Sequence, residues 1–371
     1  MQKLAVFAAA LAALALASPC LAEEEMSEPY QGSAQGAPDA ERLEPLGAID
    51  LEKLKRAQPD LPQLSPPDAS ANRTRELQLD AEKFGTVTKE IGGDQVTEPV
   101  TPEVKERVLK GGELAPAPGD GAPEPQGAIE PAPSTPERTV FGADDRVWIA
   151  YDYNAEYPFR AVGLLHIQFA DGVTAACSGT MVDPWYVLTA AHCIVDEANG
   201  QIASRVEFYP GYNGGRSPFG TYTATRLYVM SGYLQAPGPD YSWAHTIYDV
   251  ALIRLDGDAG NRVGWLGFAY NDALPVFTAN VVGYPSDKPD LTLWRSTCAV
   301  NPAETFDLRL FSHRCDTQTG SSGSSMYQYN EQTKQRIIWG VNVAQNNEWN
   351  TGVRLTGPYY CWIRQVIGQP C

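Results

Sequence analysis

Short runs rich in Val, Ile, Tyr, Thr and Phe alternate with turns rich in Gly, Pro and Asn over the last two thirds of the chain. This pattern is typical of an all-β sandwich or barrel, and a length of about 230 residues suits two small barrels better than one. Within this part of the chain, a helix is predicted only over Pro358–Ile367. The strand-like runs are Val162–Phe169, Ala175–Val182, Arg205–Tyr209, Thr221–Val229, Val250–Leu255, Phe277–Tyr284, Arg309–Phe311, Ile337–Val343 and Gly352–Leu355.

The first third of the chain has a different composition. All eight Trp residues follow Thr139, whereas only three aromatic residues precede it. Repeated Pro, Gly and Glu with few apolar residues argue against a packed core. We therefore predict that residues 23–138 form a disordered segment rich in Pro and Glu, with short helical patches near Leu51–Arg56 and Pro102–Lys110. It is either a spacer or a pro-segment removed on maturation, and its position favours a pro-segment that ends at Arg138.

The first 22 residues have the pattern of a signal peptide. Lys3 is the positive end, the run from Leu4 to Ala17 is the apolar core, and small residues up to Ala22 suit cleavage before Glu23. A membrane anchor is the alternative, but the run is shorter than the roughly 20 residues that a span needs. Cleavage leaves six of seven cysteines, which favours three disulfides in an exported chain. We expect a secreted or periplasmic protein with no membrane contact after signal cleavage.

Charge and histidine spacing exclude several classes of function. The net charge is −17, and no basic cluster of the kind that binds nucleic acid is present in the sequence. None of the four histidines is spaced with Cys or carboxylates in a zinc pattern, so we expect neither a metal nor another cofactor. His166 and His245 have the context of structural or surface residues, whereas that of His313 leaves its role open.

One stretch near the C-terminus, with the sequence CDTQTGSSGSS over residues 315–325, suits nucleophilic chemistry. A serine flanked by glycines and small residues fits a tight turn that presents one hydroxyl while backbone N–H groups point to the same place. Ser322 is the candidate nucleophile, and the N–H groups of Gly320 and Ser322 are the candidate oxyanion hole. Gly/Ser runs are more often plain loops, so the interpretation needs a base and an acid elsewhere.

Two upstream segments offer that base and that acid. His192 follows an apolar strand and small residues in LTAAHC, which leaves room for a partner to reach the imidazole. Asp249 stands at the head of an apolar run in YDVALIRL, where a partly buried carboxylate could fix the histidine tautomer. The alternatives are a structural histidine at a strand end and an ordinary aspartate at a strand edge.

Taken together, these segments resemble the chymotrypsin-like serine proteases, in which histidine, aspartate and serine occur in this order. Finer details resemble the V8-like, or glutamyl endopeptidase, branch. They are FGADDR at 141–146, VVGYPSDKP at 281–289, LWRSTC at 293–298 and RCDT at 314–317. The resemblance covers residues 139–371 and leaves the first 138 residues uncovered.

The resemblance implies an all-β fold of two packed, six-stranded antiparallel barrels with a C-terminal helix. The N-terminal barrel would span residues 139–258, and residues 259–371 would form the C-terminal barrel and the helix. The active site would lie in the cleft between the barrels. The resemblance also implies three disulfides, which are Cys177–Cys193, Cys298–Cys315 and Cys361–Cys371.

The activity implied is hydrolysis of peptide bonds in proteins through an acyl-enzyme. His192 would act as general base and Asp249 would hold its tautomer while Ser322 attacks. The expected partners are a protein or peptide substrate and the chain's own pro-segment. The alternative is a protease-like binding module that has lost activity, although a decayed site is expected to have lost His192 or Ser322.

Three residues are expected to decide which side chain is accepted before the cleaved bond. In a trypsin-like layout Asp316 lies at the pocket base and selects Arg or Lys. The Cys-Asp-Thr pattern also occurs in glutamyl endopeptidases, where Thr317 matches a hydroxyl that can donate to a substrate carboxylate. Those enzymes carry histidine where this chain has Asn342. A neutral donor at that position predicts a weakened preference for Glu, extended to Gln or other polar residues, with Arg/Lys as the runner-up.

Overall fold

A computed structural model describes residues 80–110, 140–197, 199–236, 242–305, 307–346 and 348–371. The predicted signal peptide, the helical patch near Leu51–Arg56 and the expected cleavage point at Arg138–Thr139 lie outside these ranges. Within them, no helix is both long and apolar enough to cross a membrane.

The described residues form sixteen strands and six short α-helices. The helices are α1 Pro102–Lys110, α2 Ala191–Ile194, α3 Ser231–Leu234, α4 Trp243–Thr246, α5 Ala259–Val263 and α6 Gly357–Val366. The strands are β1 Thr86–Glu90, β2 Gln95–Glu98, β3 Val147–Trp148, β4 Val162–Gln168, β5 Thr174–Met181, β6 Tyr186–Thr189, β7 Arg205–Pro210, β8 Tyr222–Met230, β9 Ala251–Leu255, β10 Gly267–Phe268, β11 Phe277–Gly283, β12 Trp294–Val300, β13 Leu310–His313, β14 Ser325–Tyr329, β15 Arg336–Gln345 and β16 Asn350–Arg354.

The first sheet contains a closed six-stranded antiparallel barrel. Its strand order is β8-β7-β4-β5-β6-β9, and pairing of β8 with β9 closes the circle. All eight residues of β5 are buried, because one face of this strand fills the barrel and the other faces the second sheet. Closure leaves the barrel strands without long free edges, which explains how such short strands form a stable unit.

The second sheet contains the six antiparallel strands β11 to β16. Their order is β13-β16-β15-β14-β11-β12, with β3 added beside β12 and β10 parallel to β15. The Cys298–Cys315 disulfide links β12 to the residues that follow β13, and thus joins the two ends of this order. Helix α6 follows the last strand. The predicted fold, two packed antiparallel β-barrels with a C-terminal helix, is therefore confirmed.

All three expected disulfides are present. Cys177 in β5 is bonded to Cys193 in α2, and this bond ties the short helix that carries His192 to the barrel. Cys361 in α6 is bonded to Cys371 at the end of the chain. The disulfides therefore lie beside the histidine, beside the serine loop and at the C-terminal helix.

Residues 80–110 are folded rather than disordered, which differs from the prediction for this part of the chain. Strand β1 pairs antiparallel with β8, from Thr86 opposite Met230 to Glu90 opposite Arg226, and β2 completes a hairpin. Helix α1, which the sequence did predict at Pro102–Lys110, packs against α6. Composition averaged over residues 23–138 hid a local pattern of buried apolar side chains. They are Ala81, Phe84, Val87, Val104 and Val108.

Candidate active site

Strand pairing brings His192 and Asp249 together. Strand β6 runs antiparallel to β9 with Thr189 opposite Ala251, so the chain leaving β6 and the chain entering β9 lie side by side. His192 Nδ1 lies 2.7 Å from Asp249 Oδ2, and the His192 backbone N–H donates to Asp249 Oδ1 at 2.9 Å. Both residues are buried. The carboxylate therefore fixes the position of the imidazole and favours the tautomer with its proton on Nδ1.

The environment of His192 favours its charged form. Burial opposes a positive charge on the imidazole, but the Asp249 carboxylate counteracts this by charge and by hydrogen bonding. Glu197, five residues further along the chain, adds negative charge. The pKa of His192 is raised above its usual value as a result. A histidine in this environment is a stronger base than one in water.

The glycine-rich stretch forms the tight turn that its sequence predicted. Gly320 and Gly323 have φ values of +87° and +78°, in the left-handed region that favours glycine. Ser322 lies between them and is 1% exposed, and its Oγ makes no hydrogen bond to another described residue. Within the described chain, the N–H groups of Gly320 and Ser322 likewise donate to no acceptor. Among the described residues, the turn thus holds one hydroxyl and two backbone N–H groups that make no hydrogen bond.

The turn is fastened to the first barrel beside the histidine. The Ser178 N–H donates to the Ser322 carbonyl at 2.8 Å, and Ser178 Oγ donates to the Gly320 carbonyl at 2.8 Å. A Cβ on Gly323 would lie 2.1 Å from Thr189 Oγ1 and 2.3 Å from the Ser178 carbonyl, so only glycine fits. Because Thr189 is three residues before His192, these contacts bring the serine turn of the second sheet to the histidine of the first barrel.

Two serines that sequence reasoning missed fix the peptide planes around Gly320. The Ser286 N–H donates to the Thr319 carbonyl at 2.7 Å. In a trans peptide the C=O and the following N–H point in opposite directions, so this bond also orients the Gly320 N–H. Ser178 Oγ holds the next carbonyl along the chain, that of Gly320. Ser286 stands in the VVGYPSDKP segment that carries the resemblance, but neither sequence context indicates this role, which only the folded contacts show.

Asp316 contacts the start of the globular unit. Its Oδ1 accepts the Phe141 N–H at 2.8 Å, and its Oδ2 accepts the Asp145 N–H at 3.1 Å. Burial of the carboxylate outweighs these two donors and raises the pKa of Asp316. Both oxygens thus already have donors within the chain. The neighbouring Thr317 is buried.

Asn342 lies behind the serine turn. It is fully buried, and its Nδ2 donates to the Ser321 carbonyl at 3.2 Å. Its backbone N–H donates to Ser324, and its carbonyl accepts from Gly323. His313 Nε2 lies 3.1 Å from Asn342 Oδ1, and burial lowers the pKa of this histidine to about 4. Asn342 therefore links the serine turn to a neutral histidine.

The two histidines predicted to be structural or surface residues have local partners. His166 Nδ1 lies 3.2 Å from Glu207 Oε2 on the neighbouring strand β7. His245 Nδ1 accepts from the Ser242 backbone at the start of α4. Both sets of contacts are those of residues that stabilise local structure.

Comparison with known proteins identifies relatives of this site and fold. A family model described as a trypsin-like peptidase domain matches residues 177–332. The "Extracellular metalloprotease" of Bacillus subtilis is 32% identical over 62% of this chain and 70% of its own length. The "Glutamyl endopeptidase" of Bacillus licheniformis is 31% identical over 59% of this chain and 66% of its own. A solved structure, "Structure of Glu endopeptidase in complex with MPD", has a TM-score of 0.53 at 28% identity and covers 62% of this chain and all of its own.

The name of the Bacillus subtilis relative raises the question of a metal. Two groups of ligand atoms within 4.8 Å of one another occur in the described residues. Each consists of one histidine and two cysteines, namely His192 with Cys177 and Cys193, and His313 with Cys298 and Cys315. In both groups the cysteines are bonded to each other. Zinc binds thiolates, not disulfide sulfurs, so these donor sets do not fit a metal.

Proposed function

Because this chain belongs to the chymotrypsin-like serine peptidases, in their V8-like or glutamyl endopeptidase branch, we propose that it is an exported endopeptidase that cleaves proteins through Ser322, His192 and Asp249. The observation that carries the proposal is the 2.7 Å contact of His192 with Asp249, beside a serine turn whose N–H groups have no acceptor among the described residues. A binding module without activity would have no need of that combination.

The reaction uses each residue in a separate role. His192 Nε2 takes the proton of Ser322 Oγ as the oxygen attacks the scissile carbonyl carbon, and the Gly320 and Ser322 N–H groups stabilise the negative oxygen. The imidazolium then gives its proton to the leaving amine, and the acyl-enzyme forms. A water molecule, activated by the same nitrogen, releases the acid product and restores Ser322. Asp249 stabilises the charged imidazole throughout.

Export and processing belong to the same proposal. The signal-like sequence at residues 1–22, the three disulfides and the extracellular name of one relative support a secreted or periplasmic protein. Cleavage at Arg138–Thr139 would produce a new amino terminus close to Phe141, which Asp316 holds.

The proposed substrate preference is Glu or a neutral polar residue before the cleaved bond. The glutamyl endopeptidase relatives support it. The neutral state of His313 beside Asn342 argues for a weaker Glu preference than a charged histidine would give. Arg or Lys is the less favoured alternative, because both oxygens of Asp316 already accept backbone N–H groups.

A peptide library that varies only the residue before the cleaved bond tests this preference. We expect kcat/KM to be highest for Glu and to lie within about tenfold of that value for Gln and other polar residues. A pocket without a charged donor lacks a charge-assisted bond worth on the order of 1–3 kcal/mol, and this reduces the advantage of Glu. Strong selectivity for Arg or Lys that Asp316→Ala abolishes would contradict the proposal. Asn342→His should sharpen Glu selectivity. The substitution also removes the hydrogen bond from Asn342 to the Ser321 carbonyl, so its effect on the serine turn must be measured as well.

Replacing Ser178 tests how the oxyanion hole is held. Ser178→Ala removes the hydroxyl that holds the Gly320 carbonyl and accepts the Tyr284 N–H. We expect kcat to fall by about 10- to 100-fold with KM nearly unchanged, less than the roughly 10²–10³-fold loss on removal of an oxyanion donor itself. Thr180→Val is the matched control, because Thr180 lies on the same strand with a buried hydroxyl that has no partner among the described residues. Equal effects of both substitutions, or a change in KM alone, would show that Ser178 has no such role.

A further inference from the structure

Residues 80–110, here called the docked segment, reach the turn that presents Asp249. Phe84 is 1% exposed and packs edge-on against the ring of Tyr248, with centroids 5.6 Å apart, and against Tyr359 at 5.1 Å. Tyr248 is the residue immediately before Asp249. Lys83 Nζ lies 5.9 Å from the centre of the same ring. The docked segment thus forms one wall around the tyrosine that precedes the candidate catalytic aspartate.

The docked segment also completes the edge of the first barrel. Strand β1 pairs with the last five residues of β8. The ladder continues into α3, where the Ser231 N–H donates to the Gly85 carbonyl at 2.7 Å and Ser231 Oγ donates to the Glu82 carbonyl at 3.2 Å. Without the docked segment, this part of β8 would have unpaired backbone groups along one edge.

A second set of contacts attaches the docked segment to the C-terminal half of the chain. Trp362 Nε1 in α6 donates to Thr86 Oγ1 at 3.0 Å, and Thr101 Oγ1 donates to Gln365 Oε1 at 2.7 Å. Arg107 Nη1 donates to the Tyr270 hydroxyl at 2.7 Å. The docked segment therefore bridges both halves of the globular unit.

These contacts lie apart from those of the serine turn. The docked segment contacts β8, α3, Tyr248, Tyr270 and α6, whereas the serine turn contacts β5, β6 and β15. A segment that only blocked the site until its removal would be expected to contact the nucleophile or the substrate cleft. A segment that packs against Tyr248, next to Asp249, and does not contact the serine turn is compatible with catalysis.

We propose that the docked segment is a positioning element of the active enzyme, and that it stays bound as a separate chain when the connection at residues 111–139 is cut. Its loss would expose the aromatic surface around Tyr248, Tyr359 and Trp362 and would leave the last five residues of β8 unpaired along one edge. Both losses oppose dissociation. The part of this proposal that concerns activity depends on the proposed function, whereas the part that concerns binding does not.

Binding is tested with the full chain in the inactive Ser322→Ala form. A recognition sequence for a site-specific protease is inserted between residues 111 and 139, the chain is cut, and the products are separated by gel filtration. We expect the two fragments to elute together in equal amounts. Phe84→Ala should release the N-terminal fragment, whereas Val96→Ala in the same hairpin should not, because Val96 is 56% exposed. An N-terminal fragment that elutes separately without any substitution would overturn the proposal.

Positioning is tested with the active chain after the same cut. In the Phe84→Ala variant, the cut releases the docked segment, and the remaining catalytic chain can be isolated. Its kcat per titrated active site should be at least tenfold lower, with little change in KM. A synthetic peptide of residues 80–110 should restore kcat. The acid limb of the activity profile should move to lower pH in the freed chain and return with the peptide, because a displaced Asp249 no longer supports the charged form of His192. Full kcat and an unchanged profile in the freed chain would overturn the positioning role.

Discussion

Ser322→Ala should lower kcat for peptide hydrolysis by about four to six orders of magnitude while the protein stays folded. The substitution removes the oxygen that attacks the carbonyl and leaves the N–H groups of the turn in place, so some stabilisation of the oxyanion persists. The Ser322 side chain is not committed to another described residue, so its truncation breaks no hydrogen bond that supports the fold. Steady-state kinetics on the preferred peptide, with thermal unfolding as the check on folding, measure the effect.

The double substitution makes this test sharper. Ser322 and His192 act as a unit, so Ser322→Ala combined with His192→Ala should be little worse than either single change. Ser324→Ala is the matched control, since Ser324 lies in the same turn with a buried hydroxyl that also has no partner among the described residues. Activity close to wild type in Ser322→Ala, together with its loss in Ser324→Ala or Ser321→Ala, would move the nucleophile to a neighbouring serine.

The barrels and the motif residues could be predicted because their signals are local. Alternating β-rich runs and turns define short strands, and closure of such strands into barrels removes their free edges. His192, Asp249 and Ser322 stand in segments whose small or apolar neighbours already suggest a reactive side chain. The order of these segments along the chain then identified the family before any contact was known.

The fold of residues 80–110 could not be predicted from composition. Pro and Glu on both sides dominate the average, while the apolar positions Val104 and Val108 lie one helical turn apart on a short helix that is marginal by itself. Phe84 is one of only three aromatic residues before Thr139 and was the remaining signal. Its partners, Tyr248 and Tyr359, are more than 160 residues away along the chain.

The supporting residues of the site were equally hidden. The contact of Ser178 with Gly320 spans 142 positions, and that of Asp316 with Phe141 spans 175. Such contacts join segments that lie far apart along the chain, so no short sequence window contains both partners. The same limit explains why Asn342 could be aligned with a family position but not given its contacts to His313 and Ser321.

Asp249→Asn should lower kcat by about 10⁴-fold, as expected when an aspartate that fixes the histidine tautomer is lost. Asp249 accepts hydrogen bonds from the His192 backbone N–H and from Nδ1. An asparagine can accept the first with its oxygen, but it then presents an NH₂ group to Nδ1. That arrangement favours the imidazole with its proton on Nε2, which cannot take a proton from Ser322. The geometry would survive while the base is lost.

The pH profile separates this explanation from simple damage to the fold. Because His192 must be neutral to act as a base and its pKa is raised, wild-type activity should rise with pH through an apparent pKa above 6.5. Without the Asp249 charge, burial of the imidazole is less opposed, so the residual activity of Asp249→Asn should have its acid limb at lower pH. Asp256→Asn, at the other end of β9, is the matched control and should stay within about twofold of wild type, as is usual for substitutions away from the reacting groups. If Asp249→Asn kept more than a tenth of wild-type kcat with an unchanged profile, another residue would have to orient His192.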